Sequence, residues 1–174
     1  MTYLRHWREG TAAVTSLPQQ RPLVDRLMAR AALELDTSLL PSGNVVMCGE
    51  NGSASTLIRK LVRAEGGLLH HVGDSRRDLQ WIHQNAADID IVIVDADFMG
   101  DVGDTIEYCM RLRRMLPDMP VVLIASEVRG DDFTCERMGA CDVTLKSGFS
   151  RSRLEQAILT AYRNNAYYQK SRAQ

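Results

Sequence analysis

The chain has no surplus of charge of either sign. Twenty-one Lys and Arg face 22 Asp and Glu, a formal net charge of −1. Binding along a phosphate backbone draws on an excess of basic groups, so the balance speaks against DNA or RNA as a partner. Long hydrophobic runs are also absent. No apolar stretch approaches the roughly 18 residues that begin to span a bilayer. The opening residues, Met1-Thr2-Tyr3-Leu4-Arg5-His6-Trp7-Arg8, carry charges with no apolar core behind them. Neither a membrane span nor a secretory signal is expected. Cysteine is scarce and poorly spaced for metal. Cys48, Cys109, Cys135 and Cys141 form no CxxC pair and no cluster with histidine, which argues against zinc. Each lies in an apolar run, where a reduced thiol acts as a small hydrophobe, so a cytoplasmic setting is expected. Internal repeats and low-complexity tracts are lacking too.

What is present is enough chain for one domain and an appendage. At 174 residues, the chain can bury about 70% of its unfolded surface and needs no staples. It divides near Pro41-Ser42-Gly43-Asn44, a cluster of turn residues. Beyond that point, short apolar runs alternate with amphipathic stretches. The strand candidates are Val45–Cys48, Leu68–Val72, Ile91–Val94, Val121–Ala125 and Cys141–Leu145, rich in Val, Ile and Leu on both faces. Strands buried between two helical layers have that composition.

Helical spacing fills the gaps. Leu57, Ile58, Leu61 and Val62 share one face, with Ser53 or Ser55 as the cap. Arg77–Asn85 reads as a second helix, turned inward on Leu79 and Ile82, with Trp81 a further inward candidate. Ile106, Cys109, Met110 and Leu112 mark a third, stopped before Pro117, and Asp131–Met138 a short fourth. Leu154, Ala157, Ile158 and Ala161 mark a fifth. Five such βα units predict a doubly wound α/β fold with a five-stranded parallel sheet.

The flanks read differently. Val24, Leu27, Met28, Ala31 and Leu35 fall on one helical face, and Pro22 suits a first turn. Residues 1–43 are therefore expected to form an N-terminal helical extension, packed on its own domain or on a second copy as a homodimer contact. Residues 166–174 form a basic C-terminal tail. From Arg163 to Gln174 there are three basic residues and no acidic ones, with Tyr162, Tyr167 and Tyr168 interleaved. A helix extension with packed tyrosines is favoured there over a weak nucleic-acid patch. Arg111-Leu112-Arg113-Arg114 reads as a solvated helix face, and His70-His71 as structural, since neighbouring strand residues point opposite ways.

Ligands of open parallel sheets bind beyond the C-terminal strand ends. Those ends carry Gly49-Glu50-Asn51, Asp95-Ala96-Asp97, Ser126-Glu127 and Lys146-Ser147. Carboxylates without soft ligands favour a hard cation such as Mg²⁺, and a neighbouring lysine suits a phosphoryl group.

Over residues 44–165 the chain resembles the receiver domain of response regulators in bacterial two-component signalling. Ile91-Val92-Ile93-Val94-Asp95, followed by Gly103, is similar to the family's phosphoacceptor strand and loop glycine. Pro120-Val121-Val122-Leu123-Ile124 is similar to its fourth strand, and Gly139-Ala140 with Lys146 to its fifth strand and lysine. The resemblance implies a flavodoxin-like sheet of order 2-1-3-4-5 and a phosphoacceptor protein rather than an enzyme. Asp95 would take a phosphoryl group from a histidine kinase or phosphotransfer protein, a carboxylate acting as nucleophile. Mg²⁺ would be held by Glu50, Asp95 and the backbone carbonyl of Asp97, whose side chain could compensate in part for the missing acid, and the phosphoryl group steadied by Lys146 and Ser126.

Departures from the pattern bear on that reading. Two adjacent acids usually follow the first strand, and here they are Gly49 and Glu50, so Mg²⁺ binding is expected to weaken. The switch hydroxyl position is Ala125, with Ser126 one residue late and so facing away unless the strand end bends. The aromatic switch position is Val143, and Ser147 replaces the usual proline after the lysine. Two readings follow: a phosphorylatable receiver with altered signalling, and a pseudo-receiver that binds partners without phosphotransfer. A nucleotide-binding α/β enzyme is the weaker alternative. The loop Gly49–Thr56 lacks the Gly-Lys-Ser/Thr of a P-loop and a three-glycine dinucleotide pattern.

Overall fold

The computed structural model describes residues 38–172. The stripe from Val24 to Leu35, the expected N-terminal helical extension over most of its length and its dimer contact lie outside the described residues. Among the described residues, no helix is long and apolar enough to cross a membrane.

The chain runs β1 (Asn44–Cys48), α1 (Ser53–Ala64), β2 (Leu68–Val72), α2 (Arg76–Asn85), β3 (Ile91–Asp95), the single turn α3 (Ala96–Met99), α4 (Val102–Met115), β4 (Val121–Ala125), β5 (Val143–Lys146) and α5 (Arg151–Arg172). All five strands are parallel, in the order β2-β1-β3-β4-β5. The doubly wound parallel sheet is the one expected from the strand runs, and its order is the one the family resemblance implied.

Alternation along the strands divides the core in two. Val45, Met47, Ile91, Ile93 and Ile124 face α1 and α5, meeting Ile58, Leu61, Leu154 and Ile158. Val46, Cys48, Val92, Val94 and Val121 face α2 and α4, meeting Leu79, Ile82, Cys109 and Leu112. Adjacent residues of one strand thus enter opposite cores, which is why every position of β3 up to Val94 is apolar.

Local signals set the helix starts. At α2, Ser75 Oγ accepts the Asp78 N–H (3.2 Å), and Asp78 Oδ2 accepts the Ser75 N–H (3.3 Å), a reciprocal cap. At α4, Asp101 Oδ1 accepts the N–H groups of Gly103 (2.6 Å) and Asp104 (3.3 Å). At α1 the cap residue is Gly52, whose N–H is received by Ser55 Oγ at 2.9 Å, so Ser55 serves from inside the first turn.

The expected fourth helix over Asp131–Met138 does not form. Asp132 instead pairs with Thr144 as an antiparallel bridge along the outer edge of β5, through N–H···O=C bonds of 2.7 and 2.9 Å. Side chains compete with helix here. Asp132 Oδ1 accepts the Thr134 N–H (2.9 Å) and hydroxyl (2.7 Å). Asp131 accepts the Lys146 N–H (2.7 Å) and an Arg153 guanidinium N–H (2.8 Å), and Arg153 also lies over the Phe133 ring at 4.8 Å. The segment is used as an edge cover, which blocks unwanted strand pairing.

Two smaller expectations need correction. Arg113 is not on a solvated face. It is 2% exposed, bonded to Asp142 at 2.7 Å and to the carbonyls of Pro117 and Met119 at 3.2 and 3.0 Å, where the turn into β4 needs buried donors. Cys135 is exposed, with its thiol donating to Asn164 Oδ1, whereas Cys48, Cys109 and Cys141 are buried as expected. The helix extension favoured for the C-terminal stretch is observed: residues 166–172 continue α5 without a break, and Tyr168 receives the guanidinium groups of Arg113 and Arg172 on its ring.

Candidate functional site at the C-terminal edge of the sheet

Asp95 ends β3 half-buried, and its Oδ1 accepts the Asp97 N–H at 3.1 Å. That bond caps the α3 turn and fixes the carboxylate against the loop after β1. Gly49 stands in that loop. A Cβ added to Gly49 would lie 2.9 Å from Asp95 Cβ and 3.0 Å from the Met47 terminal methyl. The space where the family pattern expects an acidic side chain is therefore taken by the stem of Asp95. Burial pushes the Asp95 carboxyl above the ordinary carboxylate range, aided by the charges of Asp97 and Glu50 and opposed by the Asp97 and Phe98 amides.

Asp97, two residues on, is exposed and differently employed. Its Oδ1 accepts both the N–H (3.1 Å) and the hydroxyl (2.8 Å) of Ser126, and its Oδ2 accepts the Ser147 hydroxyl at 3.2 Å. One carboxylate thereby ties the loop after β3 to the ends of β4 and β5. Ser126 does reach the strand-end crevice. β4 stops at Ala125, so Ser126 is free of the pleat that would have turned it away. Partial burial pushes the Asp97 carboxyl up, but the Ser126 amide and the two hydroxyls outweigh it and hold the group below the ordinary range.

Lys146 ends β5, in register with Ala125 of β4. Its backbone N–H is committed to Asp131, and its exposed side chain makes no ion pair with Asp95. The Lys146 N–H and charge, together with Arg153, outweigh burial and hold the Asp131 carboxyl low. Glu50 is exposed beyond β1 and reaches Asp95 through its charge. Among the described residues, no three His, Cys, Asp or Glu side chains come together as a cation site. Glu50, Asp95 and Asp97 therefore form no three-carboxylate cluster, and both Asp97 side-chain oxygens accept hydrogen bonds.

No family model matches the chain, and no curated protein matches its sequence. Solved structures do match. A response regulator receiver domain protein from Clostridium thermocellum is 16% identical with a TM-score of 0.54, covering 71% of this chain and 97% of its own. A response regulator receiver protein from Sinorhizobium medicae is 19% identical with a TM-score of 0.52, covering 70% and 95%. The beryllofluoride-activated NtrC4 receiver domain dimer is 16% identical with a TM-score of 0.55, covering 71% and 98%. The fold is that of a response-regulator receiver domain.

On this receiver fold, Asp95, Asp97, Ser126 and Lys146 all stand at the C-terminal edge of the sheet; Asp97 is joined directly to Asp95 and to Ser126, and Lys146 is bonded to none of the three. Two contributors were missed in the sequence. Ser147 is a second clasp donor, and the signal was its replacement of the usual proline. Gly49 is a packing requirement of Asp95 as well as a lost acid. The other polar features are self-contained. His70 Nε2 meets Asn44 Oδ1 at 3.2 Å, and His71 Nε2 meets an Arg59 guanidinium nitrogen at 3.0 Å. In the loop after β1, the hydroxyls of Ser55 and Thr56 both donate to the Gly52 carbonyl (3.1 and 2.8 Å), a turn closed on itself rather than an open phosphate cradle.

Proposed function

We propose that the chain is a receiver-fold signalling module that acts by binding a protein partner, without needing phosphorylation to set its conformation. The observation that carries this reading is the Asp97 clasp. In the family pattern, a hydroxyl and a cation at the β4 and β5 ends answer a charge that arrives at the acceptor. Here a built-in carboxylate already holds Ser126 and Ser147 by three hydrogen bonds. Gly49, pressed against Asp95, and Lys146, which makes no ion pair with Asp95, support the same reading.

Phosphoryl acceptance at Asp95 is the second reading, favoured by its place at the end of a buried central strand with Lys146 at the same sheet edge. An Asp95 carboxylate oxygen would attack phosphorus, the O–P bond forming as the N–P bond to a donor phosphohistidine breaks and the imidazole leaves. A histidine kinase or phosphotransfer protein would then be the partner. In neither reading does the chain turn over a substrate, slow loss of its own phosphoryl group aside.

One experiment separates them. The full chain is incubated with acetyl phosphate, with and without Mg²⁺, and its intact mass is measured. The first reading expects the unmodified mass in both. A gain of one phosphoryl group that disappears in Asp95→Asn overturns it in favour of the second.

A further inference from the structure

One face of the sheet is thinly covered. β3, β4 and β5 lie side by side in chain order, so right-handed connections carry both crossovers over the face that α4 occupies. The first crossover supplies α4. The second supplies no helix, and a cavity of about 920 Å³ opens beside α4. Val102, Ile106 and Met110 recur every four residues along its α4 wall and remain 64%, 43% and 42% exposed. From Val102 to Met110 this stripe runs about 12 Å along the helix. Leu123 and Val128 add to the apolar lining. An exposed apolar strip rimmed by polar groups marks an interaction surface.

Charge on the rim selects what fits. Asp97, Glu127 and Glu136 border the cavity, and Arg137 is the one cation among the described lining residues. Arg137 is already paired with Asp132 at 3.4 Å. Among the described residues, Glu127 and Glu136 make no ion pair. Such a rim repels an anionic lipid surface. A helix with apolar anchors at i, i+4 and i+8 and Lys or Arg beside them suits both the stripe and the rim. It also has the shape to complete the helical layer that the β4–β5 connection leaves open.

We propose that this groove receives a basic amphipathic helix from a partner protein, which takes the place of the helix missing between β4 and β5. Apolar side chains of the partner lie along Val102, Ile106 and Met110, and its Lys or Arg side chains meet Glu127, Glu136 and Asp97. Asp97 is also the carboxylate that clasps Ser126 and Ser147, so the partner's charge falls beside the clasp. This names the surface and the partner chemistry for the protein-binding role given above and rests on that role, not on whether Asp95 accepts a phosphoryl group.

Titration of the full chain into a fluorescently labelled synthetic peptide tests it. The peptide is helical, of about 15 residues, with Leu at every fourth position and Lys on either side. Anisotropy is expected to give a dissociation constant below about 100 μM. The same peptide with Glu in place of Lys should bind at least about tenfold more weakly. Ile106→Asn, on the half-exposed wall, should weaken the Lys peptide about tenfold or more, while the urea midpoint stays near that of the parent. Glu127→Lys with Glu136→Lys, both at exposed positions, should reverse the preference between the two peptides. No binding of the Lys peptide at about 1 mM overturns the proposal. Equal affinities for the two peptides overturn it, and so does binding that Ile106→Asn leaves unchanged. Solution mass adds a final arm: a self-associated parent that Ile106→Asn dissociates overturns it in favour of a second copy. The mass after acetyl phosphate keeps the two failures apart. An unmodified mass with no peptide binding strikes the groove alone. A phosphoryl gain with Lys-peptide binding strikes the phosphorylation-independent reading and leaves the groove standing.

Discussion

Around β1 and β2, each strand is followed by a full amphipathic helix, and burial is apolar apart from Ser55: α1 brings Ile58, Leu61 and Val62 to one face of the sheet, and α2 brings Leu79 and Ile82 to the other. Between β4 and β5 the helix is absent, and polar side chains add to the apolar packing that α5 supplies. Arg113 and Asp142 pair in the interior, Asn165 donates to the Pro117 and Met119 carbonyls (both 3.2 Å), Asp131 and Asp132 pin the edge segment, and Asp97 clasps both strand ends. Apolar packing is non-directional and tolerates repacking. Directed polar bonds are specific and costly to break singly. The β4–β5 half should therefore be the fragile half, and more responsive to single charges and to pH.

The largest test of that contrast is Asp142→Ala. Its Oδ2 accepts both the Arg113 guanidinium and the Val121 N–H at 2.7 Å, deep in the protein. Removal strands a buried cation and should lower unfolding free energy by about 3–5 kcal/mol, read from urea midpoints. A loss under about 1 kcal/mol would break the contrast, since it would mean that water or rearrangement supports this half as well as packing supports the other. Gly49→Ala comes next and probes the apolar side of the acceptor crevice. The added Cβ falls 2.9 Å from Asp95 Cβ, an overpacking expected to cost about 1–3 kcal/mol. In an Asp95→Gly background that cost should largely disappear, because the clash is between the two Cβ atoms; an unchanged cost would refute the packing explanation for Gly49. Asp97→Ala is smaller. Three hydrogen bonds are lost, but the group is exposed and water replaces part of them, so about 0.5–1 kcal/mol is expected. The specific signature is local: the Ser126 amide should lose its exchange protection while those of β1 keep theirs.

The sequence was most readable where packing alone decides structure. Ile91–Val94 and Val121–Ile124 are apolar on both faces, and that pattern has few outcomes other than central strands of a parallel sheet. The positions of Asp95, Asp97, Ser126 and Lys146 at one sheet edge followed from the strand ends. What was not readable depended on competition between side chains and backbone. Asp131–Met138 has helical spacing, yet Asp132 binds Thr134, and Asp131 binds β5 and Arg153, both partners distant along the chain. Arg113 sits in a run of arginines that looks solvated, and only the fold brings Asp142 beneath it. The clasp needed the end of β4 to be known to one residue, because the direction of Ser126 reverses with a shift of one.

The smallest effect gives the sharpest form of the comparison, because Asp95 and Asp97 are neighbours with opposite pH signatures. Burial raises the Asp95 carboxyl, so the folded state holds its proton at pH values where the unfolded chain has lost it. Stability from this group therefore falls as pH rises from the ordinary aspartate value to the raised one, and is level above it. Asp97 is held low by Ser126 and Ser147. Its contribution is present above the ordinary aspartate value and is lost as pH falls through the lowered one. Asp95→Asn should consequently gain stability at neutral pH, of order 0.5 kcal/mol, and the gain should shrink as acid is added. Asp97→Asn should lose stability at neutral pH, and that loss should shrink in acid. Urea midpoints of the three proteins, followed from about pH 7 down to about pH 3, check both slopes. If Asp95→Asn also loses stability at neutral pH, the Asp95 carboxylate is bound by donors more strongly than burial opposes it. The acceptor crevice would then be a charge-stabilised site like the clasp, and the distinction drawn between the two carboxylates would fall.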